Sequence, residues 1–264
     1  MSVAKTFLER ARHAEPTDFK GVEAMDPVSE EYRQAIIGLI RHHGTNELLG
    51  GPRIMRSIAF APDADAAREI AEVAADEIRH GAYCYGLLKE LRVDTAALYR
   101  KVMADQEGGD KLRYLAPSIW NRLITSWTDQ IAFLFLVDLA GYLFIGDLMD
   151  SNYAPYARVA ARILREEAGH MGMSEEWARE IGNTEAGRAE LQRSVNKLYP
   201  LTAASFGRPG GRRNRLQREL GLKRRDEAEL IETYRREMED LCRPLGLTLP
   251  DAPPDFTAVL GDEG

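Results

Sequence analysis

Asp76-Glu77-Ile78-Arg79-His80 and Glu166-Glu167-Ala168-Gly169-His170 decide the reading of this chain, because each carries Glu-x-x-His preceded by a second acid. On a helix, residues three apart stand on one face about a turn apart, so the glutamate and histidine of each motif can reach one ion. One such motif by itself is an ordinary solvated pair on a helix surface. Two of them, on two helices, match the arrangement in which four-helix bundles hold a pair of metal ions, with one further carboxylate from each of two other helices. Bridging carboxylates suit hard metal ions, and imidazoles complete the coordination while leaving positions open.

The two further carboxylates follow from spacing. Glu47 precedes the first motif by 30 positions (47 to 77), and Asp138 precedes the second by 29 (138 to 167). Each half is then a carboxylate on one helix, a turn, and Glu-x-x-His on the next. Asp138 also lies inside Phe133-Leu-Phe-Leu-Val-Asp-Leu-Ala140, where an uncompensated charge would be costly and a metal would relieve it. The candidate metal ligands are Glu47, Glu77, His80, Asp138, Glu167 and His170. His43, one turn before Glu47, reads as a supporting partner, a spare ligand or a surface histidine. Asp76 and Glu166 read as acceptors for histidine N–H groups or as surface charges. Tyr83, Tyr85, Tyr142, Trp120 and Trp127 read as packing residues, and Asp147 and Asp150 as solvent-facing.

Outward from the motifs, the pattern is helical throughout. A polar leader of about 25 residues ends at Asp26-Pro27, which reads as a helix start with proline in the first turn, and a helical pattern over Ser29–Leu49 is stopped by Gly50-Gly51-Pro52. Further helices are expected over Asp63–Leu91, Trp120–Met149, Tyr153–Ile181, Glu185–Phe206 and Glu227–Leu241, with Gly108-Gly109 breaking a shorter one. A Pro-rich tail begins at Leu249. No stretch alternates with period two for long enough to make a strand. The expectation is an all-α protein: a ferritin-like four-helix bundle with additional flanking helices, spanning 26–251, between a leader (1–25) and a tail (252–264).

The apolar run from Ile131 to Leu148 is interrupted by Asp138 and Asp147, so it reads as a buried helix and not a membrane span. With no apolar leader segment and only Cys84 and Cys242, far apart, the expected setting is a reducing cytoplasm. A net charge of −7 offers no general attraction to nucleic acid. The local exception, Arg208-Pro-Gly-Gly-Arg-Arg-Asn-Arg215 continuing to Lys223-Arg224-Arg225, reads either as a phosphate-gripping segment or as a mobile, solvated connection.

Other stretches carry a resemblance. Asp76-Glu-Ile-Arg-His-Gly-Ala-Tyr-Cys-Tyr85, Ser126-Trp-Thr-Asp129, Val137-Asp138, Ser151-Asn-Tyr-Ala-Pro-Tyr-Ala-Arg158, Glu166-Glu-Ala-Gly-His170, Leu191-Gln-Arg-Ser-Val-Asn-Lys197, Phe206-Gly207 and Leu245-Gly-Leu-Thr-Leu-Pro-Asp251 occur in order from Tyr32 to Asp251. In these the chain resembles the phenylacetic acid catabolic family, on the side of its catalytic subunits. The resemblance implies two iron ions, dioxygen as co-substrate, an external electron donor, and oxygen insertion into an aromatic acyl-CoA thioester by epoxidation or hydroxylation. It also implies a reductase, a metal-free structural homologue as partner, and a homo- or hetero-oligomer. The basic segment would then meet the CoA phosphates. Two departures stand out: Val73 occupies the place of a lysine one turn before Glu77, and the chain is short at its C-terminal end. The alternative is a di-iron N-oxygenase, hydroxylase or oxidase acting on another small biosynthetic molecule. An iron-oxidising storage protein or a metal-free partner fits less well.

Overall fold

In the computed structural model, residues 3–104 and 117–260 are described. The long helices are α2 (Glu30–Met55), α3 (Ala64–Glu90), α6 (Trp127–Leu148) and α7 (Ala154–Gly182). Around them lie α1 (Val3–His13), α4 (Thr95–Ala104), α5 (Pro117–Leu123), α8 (Glu185–Ala204), α9 (Arg212–Glu219), α10 (Glu227–Cys242) and α11 (Phe256–Leu260). No strand occurs among the described residues, and the fold is an all-α bundle of the ferritin-like class.

Side-chain caps fix the starts of several of these helices. Ser29, Asp63, Ser126, Thr184 and Asp226 each accept a backbone N–H three residues on, satisfying a donor that the first turn leaves unpaired. These caps also correct two expected boundaries. Asp26 accepts the N–H of Glu23 instead of opening a helix, and α2 starts behind Ser29. The stretch Trp120–Met149 is two helices, because Ser126 caps α6 while Asp129 binds back to the Thr125 N–H and hydroxyl.

The Gly50-Gly51-Pro52 stop is also overturned: α2 runs through it to Met55. These glycines serve close approach. A Cβ on Gly51 would stand 2.5 Å from Ile78 Cγ1 and 2.8 Å from the Ala74 carbonyl oxygen. With Gly44 against Cys84 and Gly81 against Leu48, they set an antiparallel seam between α2 and α3. Gly51→Ala therefore reverses the usual sign of such a change. The methyl group gains about 1 kcal/mol of helix propensity but meets backbone, and a net loss of about 1–3 kcal/mol is expected in denaturant unfolding.

α6 is long and apolar enough to cross a membrane by length and composition, yet most of it is buried inside the bundle. α7 and α8 pack against it, and α10 adds Tyr234, whose hydroxyl donates to the Leu136 carbonyl at 3.1 Å. The stretch expected to be a polar leader contributes α1, which docks on α6 and α7 by Ala4, Phe7 and Ala11. Arg165 donates to the Ala11 carbonyl at 2.7 Å.

The basic segment is not a loop: α9 occupies its centre, Lys223 is buried, and Arg225 pairs with Asp147 at 3.2 Å. Asp147, expected to face solvent, is fully buried and also accepts the backbone N–H groups of Arg224 and Arg225. Asp150 is partly exposed and pairs with Arg10 at 2.8 Å. In the tail, α11 buries Val259. Gly108 and Gly109 lie outside the described residues.

Candidate metal centre

Because α3 runs antiparallel to α7, the two Glu-x-x-His motifs meet face to face. His80 Nδ1 lies 2.9 Å from Glu167 Oε1 and 3.6 Å from Glu47 Oε2. His170 Nδ1 lies 3.1 Å from Glu167 Oε2 and 4.0 Å from Glu77 Oε1. Two candidate ligand sets result, Glu47–His80–Glu167 and Glu77–Glu167–His170, in each of which one donor atom per residue lies within 4.8 Å of the others. Glu167 belongs to both and so stands where a bridging carboxylate would. Asp138 falls in neither set. It lines the same cavity as Glu47, Glu77 and Glu167, and its Oδ2 accepts from the Ser174 hydroxyl at 3.0 Å.

The acid preceding each motif supports the histidine of the other. Glu166 Oε2 lies 3.1 Å from His80 Nε2, and Asp76 Oδ2 lies 3.2 Å from His170 Nε2. A carboxylate at that distance only accepts, so Nε2 carries a proton, and Nδ1 is the atom turned toward the cluster, where it would meet a bound ion. Arg79 bonds both acids, and Arg162 bonds Glu166 at 3.2 Å. His43 is buried, with Nε2 2.8 Å from Glu47 Oε1 and Nδ1 2.9 Å from the Tyr156 hydroxyl. It holds the free side of Glu47. Tyr83 packs under the Arg162 guanidinium, while Trp120 meets Phe133 and Trp127 meets Trp177 edge-on.

The electrostatics ask for cations. Burial, then the carboxylates of Glu47 and Glu167, push Glu77 well above the usual carboxylate range. Burial raises Asp138 to about 7. Glu47 and Glu167 are held low despite burial, Glu47 by hydrogen bonds from His43 and His80, Glu167 by His170 and His80. Four carboxylates this close cannot all ionise on their own, whereas two divalent ions would let them do so. The donor set of four carboxylates and two imidazoles therefore fits a pair of divalent metal ions, iron among them.

A cavity of about 190 Å³ opens beside the cluster, lined by Glu47, Glu77, Asp138 and Glu167 on one side and by Phe133, Phe144 and other apolar residues on the other. Gly50 makes room there, since a Cβ on it would stand 2.8 Å from Glu77 Oε2. Val73 is buried. A residue that the sequence motifs do not mark also appears: Arg53 is buried in the cavity wall, its guanidinium 3.7 Å from the Phe133 ring centre. Burial lowers it to about 10, opposed by the carboxylates of Glu77 and Asp138, so it remains a cation at neutral pH. Nothing in the local sequence Gly-Gly-Pro-Arg singles it out, because that motif reads as a helix end.

An all-α bundle whose two inward Glu-x-x-His motifs meet at a buried glutamate has the donor arrangement of the carboxylate–histidine metal bundles. The chain is a member of the phenylacetic acid catabolic protein family, whose model matches residues 4–261. It is 26% identical over 243 residues to one subunit of the 1,2-phenylacetyl-CoA epoxidase of Escherichia coli (strain K12), a match covering 91% of this chain and 76% of that one.

Proposed function

We propose that this protein is a non-haem di-iron oxygenase that uses dioxygen to insert an oxygen atom into an organic substrate. The observation that carries the reading is the meeting of two carboxylate–histidine sets at Glu167, beside a cavity with an apolar wall. Glu47, Glu77, His80, Asp138, Glu167 and His170 would hold the two ions. Bound iron supplies the reductive activation of dioxygen that no amino-acid side chain provides. The chain's own residues do the rest. Glu166 and Asp76 hold the histidines in one tautomer, Arg79 and Arg162 balance those acids, and the apolar wall keeps water from a bound substrate.

The name of the E. coli relative supports an aromatic acyl-CoA thioester as the first substrate class. It also supports further subunits, since that relative is one subunit of several; a reductase as electron donor and a cytoplasmic setting complete the proposal. A second reading, oxygenation or oxidation of another small molecule, is favoured by the buried aliphatic Val73 and by Arg53 within the cavity.

The test supplies ferrous protein, a reductant and isotopically labelled dioxygen to phenylacetyl-CoA or benzoyl-CoA, with mass spectrometry of the products. Label in a thioester product is expected under the first reading. If neither thioester is bound or oxidised, even with a reductase and a structural homologue added, the acyl-CoA assignment falls.

A further inference from the structure

Arg53 stands in the last turn of α2 with 8% of its surface exposed, and it lines the cavity beside the metal cluster. Among the described residues, its Nη1 has no hydrogen-bond partner. A buried guanidinium nitrogen without a partner is costly, and here the plane is steadied by Phe133 while Nη1 is left unused.

Charge counting points the same way, and it rests on the di-iron reading above. Two ferrous ions carry four positive charges, matched by Glu47, Glu77, Asp138 and Glu167, with both histidines neutral. The outer acids Asp76 and Glu166 are met by Arg79 and Arg162. Arg53 adds a further positive charge in the cavity wall, with no ion pair to an acid among the described residues. We propose that Arg53 binds the carboxylate of a small organic acid, whose hydrocarbon part lies along the apolar wall formed by Phe133, Val137 and Phe144 beside the metal cluster.

The guanidinium fork matches a carboxylate, which both fills the unused Nη1 position and offsets the charge of Arg53. A cavity of about 190 Å³ suits a single-ring or short-chain acid. In a thioester the same group would be a neutral carbonyl. Recognition through Arg53 therefore favours the free acid.

The test titrates metal-loaded wild-type protein, Arg53→Met and Arg53→Lys with phenylacetate, with its neutral isostere phenylacetamide, and with phenylacetyl-CoA. Binding is read by calorimetry, and metal content and melting temperature are measured on the same samples. Wild type is expected to prefer phenylacetate over phenylacetamide by about tenfold or more, the scale of one charge-assisted hydrogen bond. Arg53→Met should lose that preference while keeping its metal, and Arg53→Lys, which keeps the charge without the fork, should retain part of it. Should Arg53→Met fail to fold, the partial loss in Arg53→Lys is the deciding result. Equal binding of acid and amide by wild type overturns the proposal, as does a preference that survives in Arg53→Met or is undiminished in Arg53→Lys, or tighter Arg53-dependent binding of the thioester than of the acid. Wild-type protein without metal would overturn the di-iron reading first, and this inference with it.

Discussion

Replacing Glu167 with alanine is expected to empty both metal positions at once. Its two oxygens face different histidines, Oε1 toward His80 and Oε2 toward His170, and it is the residue common to both ligand sets. Glu47 and Glu77 each serve one set, and Asp138, held by Ser174, lies in neither, so no residue stands between both histidines in its place. Metal analysis after iron loading and gel filtration should fall from about two ions per chain in wild type to well under one. Helical circular dichroism should persist, since the surrounding contacts of α6 and α7 are apolar. The corresponding change at Asp138, which lies outside both sets and is held by Ser174, should weaken one position and leave the other. Glu167→Ala protein that kept two ions would remove the shared glutamate from the centre of the account.

The second large effect concerns the crossed support. Asp76→Asn and Glu166→Gln each replace the charged, acceptor-only partner of one histidine with a neutral amide that binds the ring N–H more weakly, and such losses cost about 10–100-fold in metal affinity. Which histidine suffers is set by the packing and not by the motif. Asp76 adjoins Glu77 in sequence but bonds His170, whereas Glu166 bonds His80. Asp76→Asn should therefore couple strongly with His170→Ala in chelator competition, and much less with His80→Ala. The reverse holds for Glu166→Gln. Coupling of each acid to the histidine of its own motif would contradict the crossing.

How much of this is legible in the sequence depends on the range of the interaction. Glu77 with His80, and Glu167 with His170, are local pairs that helical periodicity fixes. Glu47 and Asp138 are reachable because two similar intervals repeat. The crossed bonds depend on how α3 and α7 lie against each other, which no local pattern specifies, so Asp76 and Glu166 can be named as acceptors but not assigned.

The same limit hides the true role of Gly50-Gly51-Pro52. Glycine breaks a helix in isolation, but here closeness to α3 is what the small residues serve, and the helix is carried on by packing. Arg53 escapes notice for that reason: local pattern puts it beyond the end of a helix that in fact continues to Met55. Phe7 is concealed by its polar neighbours, although Ala4, Phe7 and Ala11 form a stripe at spacings of three and four. The break at Ser126 is masked by the apolar character of α6 itself, although Ser126 with Asp129 is a recognisable helix start.

The central claim is that this cluster is a dinuclear metal site, and the most direct measurement is the metal content of the wild-type chain. Purified protein is stripped with chelator, reloaded anaerobically with ferrous iron, desalted, and analysed for metal and protein together. About two iron ions per chain are predicted; protein that retains no stoichiometric metal after careful loading would contradict the claim.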